Sequence, residues 1–335
     1  MGYAMVMGEA LIDLLEADVD GEQVYRQAIG GAPLNVAVGV ARLGGDARFA
    51  GSLSTDILGD RMAAFLHAAG VDGQGVRRVA APTTLAVTTF DGAEPTFTFY
   101  GEPPSYALLT PADLDLPAVA GAAVLYAGSI SLLREPFLSA ARAAWSAAAP
   151  ASASVSAAAS SAASSPAGVS ASGPLRVFDP NVRPTLLPDA AAVDALRDLT
   201  EEFFATADLV KLSSADAIAL YREHDPAAAA ARILALGAGA VVVTCGSRGA
   251  HVATSGGATD IPAPLVSAID ATGAGDSVMA ALISRLLTEG RPAGLTAWSG
   301  HVRFALSVAG LVCERQGGAT AMPTPSDLRA RWGDL

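Results

Sequence analysis

Short runs of β-favouring apolar residues alternate along this chain with longer segments whose apolar positions recur three and four residues apart. The first part reads "AMVMGEALIDLL", "APLNVAVGVARLGG", "RFAGSLS" and "ILGDRMAAFLHAAG". The alternation resumes with "AAVLYAG", "REPFLSAARAAWSAAA", "LRVFD", "AAAVDALRDLTEEFFATA", "DLVKL", "AAAAARILALG" and "AVVVTC". Strand and helix taking turns predicts right-handed βαβ units, and so an α/β fold with a central, mostly parallel sheet covered by helices on both faces. Two stretches, 14–28 and 76–101, break the rhythm. The second, "TTLAVTTFDGAEPTFTFYG", alternates threonine and aromatic residues around an Asp91-Gly92 turn and predicts a β-hairpin. Together the two predict a small, discontinuous β lid on a main domain of 1–13, 29–75 and 102–335. Residues 148–174 are Ala/Ser/Gly/Pro low complexity with no large apolar group, which predicts a mobile surface insertion.

Composition narrows the class. The 335 residues are 51% hydrophobic and 16% charged, enough to build one large core with an attachment. No apolar run reaches the roughly 20 residues that span a bilayer, and the N-terminus turns acidic without a basic start or cleavage site. A cytoplasmic protein with no membrane partner is expected. The net charge of −12, with 21 Lys and Arg spread thinly, opposes nucleic-acid binding. Cys245 and Cys313 lie far apart in apolar surroundings, without metal-ligand spacing.

The stretch with most chemistry is "DATGAGDSVMAALISRLL", 270–287. Gly273 and Gly275 flank Ala274, and the run after Asp276 puts Val278, Leu282 and Leu286 on one buried helix face. The first N–H groups of that helix lack internal partners, and with the helix dipole they suit a phosphate. Asp276 fits as a base accepting a hydroxyl proton beside that anion site. On this stretch alone a helix cap is the plainer reading, because Asp is a favoured cap residue.

Other segments offer partners. In "GGAPLNVAVGVARLGG", Gly30 and Gly31 let a ligand approach backbone, and Asn35 offers donor and acceptor to hydroxyls. Asp13 is a carboxylate in a run otherwise made for burial. In "FDPNVRP", Asp179, Asn181 and Arg183 at period two would share one face and could bind hydroxyls and phosphate, or form an ion pair. "LVKLSSAD" ends a strand with Lys211 and Ser213 and places Asp216 three residues on, a group able to order water around Mg²⁺ or to cap a helix. In "VVVTCGSRGA", Thr244, Gly246 and Gly249 could shelve a nucleotide. No G-x-x-x-x-G-K-[ST] or G-x-G-x-x-G motif is present.

Taken in order, these segments resemble the signatures of the ribokinase-like (PfkB) sugar kinases. "GGAPLNVAVGVARLGG" is similar to the N-terminal signature and "DATGAGDSVMAA" to the C-terminal one, while "GEALIDL", "DPNVRP" and "KLSSAD" look most like the fructokinases. The likeness runs over nearly the whole chain and fails across 148–174. It implies a ribokinase-like kinase using ATP with Mg²⁺, whose β lid closes over a small sugar and is often supplied through a homodimer. It makes Asp276 the catalytic base, and the backbone of Gly273, Ala274 and Gly275 the anion hole. Asp13, Gly30, Gly31 and Asn35 match sugar-binding positions, and Arg183 the place where sugar and phosphate meet. Asn181, Lys211, Ser213, Thr244, Gly246 and Gly249 fall on the nucleotide side, with Asp216 acting on Mg²⁺ through water. Asp270 and Thr272 match a loop that binds a monovalent cation, K⁺, in many relatives. The family's N-x-x-E appears here as Ser213 to Asp216, "STDILG" has serine where many relatives have glycine, and "FYGEPPSYALLT" stands where lid residues judge the sugar. Fructose is the implied acceptor, with 2-keto-3-deoxygluconate and aminoimidazole riboside as alternatives. Only Arg77 and Arg78 are basic in 76–101, which favours a neutral sugar. A catalytically silent sugar sensor is the alternative outside enzymes.

Overall fold

The computed structural model describes residues 2–91, 94–150 and 173–333. The N-terminal part comprises β1 (Tyr3–Met7), β2 (Leu11–Val19), β3 (Glu22–Gly30), α1 (Ala32–Arg42), β4 (Asp46–Ser54), α2 (Ile57–Ala68), β5 (Asp72–Val79), β6 (Leu85–Asp91) and β7 (Glu94–Tyr100). Next come α3 (Leu116–Ala120), β8 (Val124–Gly128), α4 (Phe137–Ala147), β9 (Leu175–Asp179), α5 (Ala190–Phe204), β10 (Leu209–Ser213), α6 (Ser214–Tyr221) and α7 (Pro226–Leu236). The chain ends with β11 (Ala240–Thr244), β12 (Ala250–Thr254), β13 (Gly257–Ile261), α8 (Ala274–Glu289), α9 (Leu295–Cys313) and α10 (Pro325–Trp332).

Among the described residues a nine-stranded sheet runs in the order β13-β12-β11-β10-β9-β8-β1-β4-β5, parallel except for β12 and β13. Its central strands are apolar on both sides, as helix-covered parallel strands must be. One face packs in a core with α1, α2, α8, α9 and α10, the other with α3 to α7. A second sheet, β3-β2-β6-β7, joins two antiparallel hairpins through the parallel pair β2 and β6.

The run "AMVMGEALIDLL" divides between the two sheets. Gly8, at φ 153°, makes the break; a Cβ there would lie 2.1 Å from Pro33 Cγ, so the chain passes tight against the start of α1. The small sheet therefore spans 11–30, beyond the expected 14–28. Residues 72–79 form β5 on the edge of the large sheet, where Ser52 pairs with Arg77 and Leu53 with Arg78, so the second segment of the small sheet starts at 85 and not at the expected 76. An edge strand with one neighbour is largely exposed and carries little apolar pattern. Arg77 is bound to Asp113, and Arg78 to the Ser54 carbonyl and Asp60, so neither is a lid cation. Residues 151–172 of the expected insertion, and the 92–93 turn of the hairpin, lie outside the described residues.

Candidate active site

A cavity of about 670 Å³ opens between the small sheet and the carboxy ends of β1, β8 and β9, the edge at which open α/β sheets place ligands. Asp13, Gly30, Gly31 and Asn35 reach it from the N-terminal half, and Asn181 and Arg183 from the segment after β9. Asp270, Thr272, Gly273, Gly275 and Asp276 close its far wall.

That wall is the start of α8, which begins at Ala274, so Asp276 is its third residue. Gly273 caps the helix in the left-handed conformation at φ 77°, and no side chain caps it. A Cβ on Gly273 would meet the Gly318 Cα at 2.8 Å, so both conformation and space call for glycine. The Ala274 N–H already donates to the Ala271 carbonyl at 3.1 Å, and Ala274 does not line the cavity. Among the described residues the amides of Gly273, Gly275 and Asp276 donate to no backbone carbonyl, so of the expected Gly273-Ala274-Gly275 set only the Ala274 amide is already engaged.

The Asp276 carboxylate is not a helix cap. Its Oδ2 accepts from Asn35 Nδ2 at 2.7 Å, across 241 residues of sequence. This bond orients the amide, leaving Asn35 Oδ1 buried with no partner among the described residues. An acceptor in that state costs free energy until a donor arrives. Burial pushes the Asp276 carboxyl above the usual carboxylate range, against the Asn35 hydrogen bond and the charges of Lys211 and Arg183. Burial likewise raises Asp13 to about 6, opposed by Arg183 and reinforced by Asp276.

Local sequence explains the neighbours. A Cβ on Gly30 would sit 2.1 Å from Asp13 Oδ2, and one on Gly31, at φ 107°, would sit 2.6 Å from the Glu9 carbonyl oxygen. The shared face expected for "FDPNVRP" does not form, because Asn181 adopts φ 40° and breaks the extension. Asp179 stays buried, bonded to Lys211 at 2.8 Å, while Arg183 donates to Asn181 Oδ1 at 2.6 Å beside the cavity. Glu9 and Ser129 also line the cavity and escaped the sequence reading, while Phe99, which lines it too, opens the stretch "FYGEPPSYALLT". Glu9 carried the signal that singled out Asp13, a lone acid in an apolar run; its Oε2 accepts from the Ser131 N–H and hydroxyl, and burial raises its pKa.

Of the residues expected on the nucleotide side, Asn181 lines this cavity, and Ser213, Thr244, Gly246 and Gly249 lie along the adjoining sheet edge, outside it. Ser213 and Thr244 are register partners at the ends of β10 and β11, and Gly246 and Gly249 take φ 58° and 100° in the loop beyond. Lys211 is buried in its ion pair and does not line this cavity. Asp216 makes the capping box of α6 with Ser213, and its second oxygen accepts from the Val182 N–H at 2.8 Å. Both carboxylate oxygens are thus engaged, the helix-capping alternative. Asp216→Ala is expected to lower stability by about 1–2 kcal/mol, measured by urea denaturation. Asp270 accepts from the Thr272 and Gly317 N–H groups, fixing the loop before α8. Among the described residues no three His, Cys, Asp or Glu side chains group as metal ligands, and no helix is long and apolar enough to cross a membrane.

The family model described as "pfkB family carbohydrate kinase" matches residues 1–325. The chain belongs to the pfkB family of carbohydrate kinases. Such an enzyme transfers phosphate from ATP to a sugar. A fructokinase of Klebsiella pneumoniae is 35% identical over 331 residues, covering 98% of each chain. Among solved structures, Xylella fastidiosa fructokinase with bound ATP matches with a TM-score of 0.82 at 28% identity, over 99% of both chains. Vibrio cholerae fructokinase, bound to fructose, ADP and calcium, gives 0.81 at 27% identity over 98% of both. The large mostly parallel sheet with flanking helices and a second small sheet is thus the ribokinase-like pfkB fold.

Proposed function

We propose that this pfkB kinase phosphorylates the primary 6-hydroxyl of fructose, with Asp276 as the base. The observation that carries the reading is the meeting, in one cavity, of a carboxylate and the open amides of the α8 turn. Asp13 and the unpaired Asn35 Oδ1 supply acceptors for sugar hydroxyls close by. Asp276 takes the proton of the attacking hydroxyl, the new O–P bond forms as the bond to ADP breaks, and the amides of Gly275 and Asp276 stabilise the charge on the transferred group. Arg183, at the cavity edge, pairs with the phosphoryl oxygens.

ATP lies along the sheet edge of Ser213, Thr244, Gly246 and Gly249. Mg²⁺ would arrive with ATP; among the described residues no three His, Cys, Asp or Glu side chains form a cage for it, and Asp216, whose oxygens accept from Ser213 and the Val182 N–H, would act on it only through water. The loop of Asp270 and Thr272 is suited to a monovalent cation. The small sheet serves as the lid, and Tyr25 and Tyr100, exposed on the face turned from the cavity, suit pairing with a second copy. Closure excludes water and suppresses ATP hydrolysis.

ADP release should be measured with fructose, ribose, 2-keto-3-deoxygluconate and aminoimidazole riboside as acceptors. Fructose is expected to give the highest kcat/KM. A better acceptor among the others would overturn the substrate and leave the class; no ADP release with any of them would favour a silent sensor.

A further inference from the structure

β10 carries a charge where its pattern calls for an apolar side chain. Val210 and Leu212 are fully buried in the core with α3 to α7, so alternation turns Lys211, 3% exposed, toward the α8 side of the sheet. There its ammonium donates to Asp179 Oδ2 at 2.8 Å, and Asp179 is itself 1% exposed. The pair lies beneath the first turn of α8. A Cβ on Gly275 would stand 3.1 Å from Lys211 Nζ, and the ammonium is what it would meet. Glycine at 275 therefore brings the turn's backbone directly onto a buried cation.

As a stabilising device this arrangement is poor. Taking both charges out of water costs several kcal/mol each, and well-packed apolar residues would hold the same place at no such cost. Its position suggests the use: the cation lies behind the amides that meet the phosphoryl group and within electrostatic reach of Asp276.

We propose that Lys211 is a positioning residue for phosphoryl transfer: its ammonium, pinned by Asp179 behind Gly275, is a fixed positive charge acting through the α8 turn on the phosphoryl group and on Asp276. This rests on the reading of Asp276 as the base. The groups facing that carboxylate are Asn35 from α1, Arg183 after β9, Asp13 from β2, and Lys211 from below; Asp179 and the buried Tyr126 lie behind it. Of these, Lys211 and Arg183 are cationic, and Arg183 is solvent-exposed while Lys211 is not. The buried charge is screened least, and so contributes most per distance.

The test is Lys211→Met, which keeps length and removes charge, together with the double variant Asp179→Asn/Lys211→Met, which leaves no unpaired charge if the single variant folds poorly. Folding is checked by thermal melting and kinetics by the coupled ADP assay. Either folded variant is expected to lose about 10- to 100-fold in kcat, with KM for ATP and fructose changed by less than about threefold. The acid limb of kcat against pH should move up by about one unit, because a base deprived of a nearby cation holds its proton more tightly. A nucleotide contact would instead raise KM for ATP and leave the limb in place, and a packing role would lower melting temperature alone; either result, or unchanged kcat in the double variant, overturns the proposal. Asp276→Asn separates the two levels: retained turnover there removes the base and this inference with it, whereas an inactive Asp276→Asn beside an unshifted Lys211→Met removes only Lys211.

Discussion

Asp276→Asn is expected to lower kcat about 10²–10⁴-fold, the largest single effect at this site. The substitution keeps shape and one acceptor, so asparagine can still receive the 2.7 Å hydrogen bond from Asn35. What it loses is the capacity to take a proton. KM for sugar and ATP should stay close to normal, because the turn amides, Asp13 and Arg183 are untouched. The pH profile gives a second reading. Burial raises the Asp276 pKa, and a base works only when ionised, so wild-type activity should fall as pH drops through that raised value. In Asp276→Asn that step should vanish from the residual rate. Near-normal kcat, or an unchanged acid limb, would dismiss the base.

Much of this was legible in the sequence, and the reasons differ by element. "LRVFD", "DLVKL" and "AVVVTC" became β9, β10 and β11 because central parallel strands carry unbroken apolar runs. The edge strand β5 did not stand out, since "DGQGVRRV" has one neighbour and an exposed face. The buried helix after Asp276 follows its apolar spacing, but whether Asp276 caps that helix or faces a cavity depended on Asn35, a residue on α1 that no local pattern connects to it. Lys211 and Asp216 show the same limit in reverse. Their residue types suited nucleotide and metal, yet Asp179, Ser213 and the Val182 N–H occupy them. Period two in "FDPNVRP" failed at one left-handed residue, Asn181, which sent Asp179 into the core and Arg183 to the surface. Spacing predicts direction only while the backbone stays regular.

Gly273→Ala should be the next most damaging change, for a reason that no charge provides. At φ 77° an alanine sits in the left-handed region at a cost of about 1–2 kcal/mol, and its Cβ would press against the Gly318 Cα at 2.8 Å. Backbone on both sides prevents easy relief, so the start of α8 must shift, carrying the amides of Gly275 and Asp276 with it. Displacement near 1 Å at a reacting centre costs on the order of 10²-fold in rate, and kcat is expected to fall by about that factor. Gly290 supplies the control. It ends the same helix at φ 74°, yet a Cβ there would meet nothing within 4 Å, and it lies remote from the cavity. Gly290→Ala should therefore lower melting temperature through backbone strain while leaving kcat within about twofold of wild type. If the two variants lose activity alike, strain rather than displacement of the amides is the cause; if Gly273→Ala keeps full kcat, the α8 turn does not hold the transferred phosphoryl group.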